Sequence, residues 1–112
     1  GITKQFGGEI KINYIDGHPP VINDESVTNQ LIKAAETQVG KDNIYDLGQP
    51  SMGADDFGFF SEKIPSTYVR LGIKEEGKPV YDLHHPKFYF NEKVIPVGVR
   101  VLTQYALDSL KK

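Results

Sequence analysis

Polar and apolar residues alternate along Glu9-Ile10-Lys11-Ile12-Asn13-Tyr14-Ile15. That is the period of a half-buried strand, with Ile10, Ile12 and Tyr14 on one face. Asp16-Gly17-His18-Pro19-Pro20 ends the pattern, because glycine and two prolines interrupt pairing, and it reads as a hinge or crossover. His18, beside Pro19, reads as a surface turn residue. The period then becomes helical. Asn23-Asp24-Glu25-Ser26 supplies short polar caps and an acid at the positive end of a helix. The spacing predicts that helix over 25–39, with Val27, Leu31, Ala34, Ala35 and Gln38 near one face and Gly40 as its stop.

Further on, 44–47 is a short strand candidate and 48–53 a loop. A short helix is predicted over 55–62, closed by Ile64-Pro65. Thr67-Tyr68-Val69-Arg70-Leu71-Gly72-Ile73 is rich in β-branched and aromatic residues and reads as a strong strand. After the polar stretch 74–82, Asn91-Glu92 opens a long helix to about Leu110, roughly 30 Å by the standard rise. Its apolar stripe is Val94, Val97, Gly98, Val101, Leu102, Tyr105 and Leu110. Pro96 is tolerable there only near the first turn. Strand, helix, strand, helix, strand, helix is the order of an α/β layered domain. The first strand, cut off by the Gly-Pro-Pro break, belongs to a different layer or domain.

The chain has 112 residues, enough for one domain with a modest core. Apolar content of 38% and charged content of 25% are ordinary for a globular protein. A formal net charge of -2 without a basic run argues against a general nucleic-acid or membrane-surface binder. Lys111-Lys112 close the last helix, where cations suit the helix dipole. With no cysteine there is neither a disulfide framework nor a thiolate metal site, which fits a cytoplasmic protein. No apolar run approaches the ~18 residues of a membrane span, and no signal peptide is visible. Without an initiator Met, the chain reads as a piece of a longer protein, with Gly1 left by the cut.

Two segments carry candidate chemistry. Leu83-His84-His85-Pro86-Lys87-Phe88 holds an imidazole pair, and neutral imidazole is the commonest protein ligand for zinc-like ions. Pro86 biases His85 toward extended backbone, where neighbouring side chains point to opposite sides. One histidine is then expected to face a site and the other to face away or to support it. Met52-Gly53-Ala54-Asp55-Asp56-Phe57 is a glycine turn opening onto two carboxylates. Asp55 and Asp56 can ligate a cation or orient a ligating imidazole. They equally suit the start of a helix. Gly53 offers a positive φ or a close backbone approach. Phe57, Phe59 and Phe60 read as core aromatics, and Tyr81 and Tyr89 flank the histidines.

Pro50-Ser51-Met52-Gly53-Ala54-Asp55-Asp56-Phe57-Gly58-Phe59-Phe60, then Ile64-Pro65-Ser66-Thr67-Tyr68-Val69-Arg70-Leu71-Gly72, then Leu83-His84-His85-Pro86-Lys87-Phe88 with Asn91-Glu92, resembles the C-terminal part of the M20 metallopeptidase family. The likeness is to its amidohydrolase branch, which includes N-acyl-amino-acid, hippurate and indole-acetyl-amino-acid hydrolases. That branch shows Met-Gly-x-Glu-Asp-Phe, Pro-Gly-x-x-x-x-Leu-Gly and His-x-Pro-x-Phe segments in this order. The resemblance covers most of the chain from Val21 to Leu110.

The resemblance implies an α/β fold: part of a three-layer α/β/α catalytic domain over 21–112. Residues 1–20 would be the end of an inserted α+β lid and dimerisation domain, with Gly7–Ile15 its last strand and 16–20 the hinge. It implies a site with two divalent ions, zinc first, with manganese, cobalt or nickel as alternatives. Metal-activated water would cleave the amide bond of N-acyl amino acids or small peptides in a homodimeric parent. His84 matches the family's C-terminal metal ligand. His85 stands where a small polar residue is usual, and Asp55 where Glu is commoner. Asp55, Asp56, Gly53 and His85 are expected to line or support the site. The general base and the remaining ligands would lie upstream, so these 112 residues alone are expected neither to retain the ions nor to hydrolyse an amide. A dipeptidase or deacetylase of the same family, or a non-catalytic binding module, are the alternative readings.

Overall fold

The structure is a computed structural model and describes residues 1–111. Four α-helices are present among them: α1 (Ile2–Gln5), α2 (Glu25–Val39), α3 (Phe57–Ser61) and α4 (Ile95–Leu110), the last led in by a 3-10 turn at Glu92–Val94. Among the described residues no helix is long and apolar enough to cross a membrane.

Helix α2 has the boundaries its sequence predicts. Asp24 holds extended backbone at the N-cap, and its carboxylate accepts the Val27 N–H at 2.9 Å. That satisfies one of the donors a helix start leaves unpaired. At the other end Gly40 adopts φ 80°, a left-handed value that costs a residue without a Cβ nothing. The five positions predicted to share a face are all withdrawn from solvent: Leu31 and Ala34 are buried, and Val27, Ala35 and Gln38 are half-buried, as are Thr28, Ile32 and Val39 beside them. This face packs on α4, and the side chains of Gln38 and Gln104 join the two helices by a 3.2 Å hydrogen bond.

The start of α4 also follows the pattern. The Asn91 side chain accepts the Lys93 N–H at 3.0 Å, and Pro96 falls in the first turn, where its missing N–H costs nothing. Val97, Gly98, Val101 and Tyr105 are half-buried, and Gly98 leaves room for the Leu71 side chain. Leu102 and Leu110 of the predicted stripe face outward instead, as do Ile95, Val99 and Leu107. The stripe on α4 is therefore wider than the surface α2 can cover. Lys111 pairs with Asp108 at 3.7 Å; Lys112 lies outside the described residues.

The strand predictions have a different outcome. Segments 9–15, 44–47 and 67–73 carry no β-ladder, and no strand is assigned among the described residues. A strand is stable only when its backbone groups find a neighbour, and among the described residues such pairing occurs at one place only. There the Asp24 N–H donates to Ser66 O at 2.8 Å, and the Asn23 side chain takes both backbone groups of Tyr68. The four-residue α1 was not legible in the hydrophobic pattern and buries nothing.

Packing is correspondingly sparse. Leu31 and Ala34 are the buried apolar residues, and the radius of gyration is 20.2 Å, against about 13 Å for a closed domain of 100 residues. Ile10, Ile12 and Tyr14, the predicted inner face of the first strand, are exposed.

Candidate functional site around the acidic turn and the histidine turn

The acidic turn is built from the hinge side and from α3. Asp55 Oδ1 accepts the Phe57 N–H at 2.8 Å, and Gly58 N–H returns to Asp55 O at 3.1 Å. Asp55 thus closes a side-chain turn leading into α3, a role its place before a helix allows. Its second oxygen accepts the Tyr68 hydroxyl at 3.3 Å, and the rings of Tyr68 and Phe57 meet with centroids 5.2 Å apart. Asp56 takes a longer-range partner: His18 Nε2 lies 2.6 Å from Asp56 Oδ1, and the His18 ring rests 5.6 Å from that of Phe59.

His18 is therefore more than a surface turn residue. It ties the Gly-Pro-Pro hinge to the acidic turn across 38 residues of sequence. The next hinge residue packs even more tightly. A Cβ placed on buried Gly58 would lie 3.1 Å from Pro19 C and closer still to Pro19 O, so α3 passes the hinge backbone at a distance only glycine permits. No local signal marks either contact, since both join positions far apart in the chain. Gly53 needs neither of the properties anticipated for it: its φ is not positive, and an added Cβ would meet only the Ser51 hydroxyl at 3.3 Å.

The histidine turn departs from the extended backbone expected of it. His85 N–H donates to Asp82 O at 3.1 Å, closing a turn through Leu83 and His84, and Phe88 N–H donates to His85 O at 2.9 Å, closing a second through Pro86 and Lys87. His84 has φ 70°, the only positive value on a non-glycine residue among those described. Pro86 constrains its immediate predecessor and no further, so the alternation argument does not reach His84. What separates the two rings is their bonding. The His85 Nδ1 accepts the Lys87 N–H at 3.1 Å, and its ring stacks on Tyr81 with centroids 4.7 Å apart. The His84 ring is exposed and makes no hydrogen bond or ion pair among the described residues.

A residue held in the left-handed region costs about 1–3 kcal/mol unless its surroundings fix it, and such residues gather at functional sites. His84 is the one position here with that property. The structure does not bring His84, His85, Asp55 and Asp56 together as a cage: among the described residues no three potential ligands lie close enough to hold one ion. Both carboxylates are already engaged, and a zinc site needs about three protein donors.

Residues 3–108 match Peptidase family M20/M25/M40, and the chain belongs to that family. It is 34% identical over 113 residues to N-acetyldiaminopimelate deacetylase of Oenococcus oeni, covering 100% of this chain and 28% of that protein. It is 35% identical over 101 residues to IAA-amino acid hydrolase ILR1-like 6 of Arabidopsis thaliana, covering 86% and 22%. YhaA of Bacillus subtilis, which carries a provisional amidohydrolase name, is 33% identical over 108 residues, covering 96% and 27%. The chain thus spans about a quarter of the length of these curated relatives. No solved structure matches.

Proposed function

We propose that this chain is the C-terminal part of a metal-dependent amidohydrolase that cleaves the amide bond of N-acyl amino acids or small peptides. The observation that carries the reading is His84: it lies inside the matched region, on a backbone conformation that needs external support, with a ring no neighbour has claimed. A divalent ion held by His84 and donors from outside this chain would supply Lewis-acid polarisation of the scissile carbonyl and a water made acidic enough to attack it. His84 would contribute a neutral imidazole nitrogen. Asp55 would act at a remove, holding α3 and Tyr68 in place. Asp56 would anchor the hinge through His18, at the join between a lid ending near residue 20 and a catalytic domain that begins there. In that domain, 67–73 and 44–47 would be strands of the central sheet once paired, which accounts for their apolar exposure here. The cytoplasm and a homodimer formed through the lid are part of the same proposal.

A deacetylase specificity is the second reading, favoured by the match to N-acetyldiaminopimelate deacetylase across 100% of this chain. A hydrolysis panel of N-acetyl, N-benzoyl and indole-acetyl amino acids, run on the parent protein with metal analysis, separates the two. His84→Ala should cut metal content and activity together, whereas His85→Ala should do much less. Equal losses from both would refute the assignment. So would appreciable, chelator-sensitive hydrolysis by the 112 residues alone, which supply one donor.

A further inference from the structure

The two adjacent histidines differ in what their nitrogens are able to do, and the difference is fixed by one backbone group. The Lys87 N–H can only donate, so the His85 Nδ1 that meets it at 3.1 Å must present its lone pair. In the neutral ring the single proton then sits on Nε2. A cation needs a lone pair on the nitrogen it binds, and neither nitrogen of His85 has one to spare. Nδ1 is given to Lys87 and Nε2 carries the hydrogen. Tyr81 stacks against the ring at an interplanar angle of 16°, which fixes the plane in which the His85 nitrogens lie.

We infer that His85 is a positioning residue locked in the Nε2–H form. It caps the turn that follows His84 and leaves one outward hydrogen-bond donor, suited to a carbonyl or carboxylate oxygen and not to a metal ion. The side chain acts as an Asn or Ser acceptor does two residues before an N–H. It also ties both turns together, because the His85 backbone closes each of them: N–H to Asp82 O, and O from the Phe88 N–H. His84 is held at φ 70° between these contacts. The consequence for a cation at His84 rests on the amidohydrolase reading; the tautomer and the capping role do not.

The test is two-bond 1H–15N correlation of the imidazoles in the chain without metal, at a pH where the rings are neutral, together with amide exchange at Lys87. The Nε2–H pattern is expected for His85. His85→Ala should speed exchange of the Lys87 amide roughly fivefold, the value of one ordinary hydrogen bond. His85→Asn should restore it, because its Oδ1 can accept the same N–H. Amides of α2 serve as the check that each variant is folded, and the wild-type tautomer decides the question if the Ala variant is not. An Nδ1–H pattern, or Lys87 exchanging equally fast in wild type and His85→Ala, overturns the inference. Retention of full hydrolytic activity in a separate His84 variant counts only against the amidohydrolase reading, so the two failures are distinguishable.

Discussion

Replacing Gly58 with alanine perturbs the molecule where the hinge meets α3. Glycine is there for space and not for φ, which is unexceptional. The added Cβ would lie 3.1 Å from Pro19 C and 3.2 Å from Pro19 Cγ, and nearer still to Pro19 O. An unforced C···O contact needs about 3.3 Å, so the hinge backbone has to retreat by roughly 1 Å. The obstacle is mostly main chain, so no rotamer change relieves it. Overpacking of this kind costs about 1–3 kcal/mol, while alanine in a helix returns about 0.5–1 kcal/mol relative to glycine. The steric term wins. The exposed His18–Asp56 pair, worth about 0–1 kcal/mol, cannot hold the hinge against it. A net cost of about 0.5–2 kcal/mol changes the docked-to-undocked ratio by a factor of roughly 2–30.

Limited proteolysis reads that ratio directly when opening is fast relative to cleavage. Cutting within residues 9–20, followed by mass spectrometry, should accelerate in Gly58→Ala by about the same factor of 2–30. Exchange in α2 and α4 should be unchanged. Equal cleavage rates in Gly58→Ala and wild type would refute the reasoning, because they would mean that the hinge does not rest on α3 in solution.

Two further substitutions test the packing around it. Asn23→Ala removes both partners of the Tyr68 backbone and should destabilise that junction by about 1–3 kcal/mol, seen as faster exchange of the Tyr68 amide; unchanged exchange would count against the pairing. Leu31→Ala empties the larger of the two buried apolar positions and should cost about 2–5 kcal/mol, read as loss of helical ellipticity on urea titration at a lower midpoint. A midpoint that does not move would mean that the α2–α4 contact contributes little.

Local chemistry made the two long helices legible. Asp24 and Gly40 bracket α2, Asn91 and Pro96 start α4, and the 3.6-residue period picks out Leu31 and Ala34, because caps and periodicity act within a turn or two of the chain. The strands were legible only as tendencies. Thr67–Ile73 has a strand's composition, but pairing is a property of two segments, and the described residues supply a partner only at Asn23 and Asp24. The site followed the same division. Residue types named His84, His85, Asp55 and Asp56 as the groups with chemistry, and all four lie inside the family match. Which of them are already occupied was decided in three dimensions. Asp56 is taken by a histidine 38 residues away, and Asp55 by its own helix and a tyrosine hydroxyl. His85 is taken by a backbone N–H two residues on, in a turn that sequence spacing had rendered as extended. Hydrogen-bond capacity is finite, so an atom's availability for chemistry depends on every neighbour the fold brings to it, and most of those neighbours are remote in sequence.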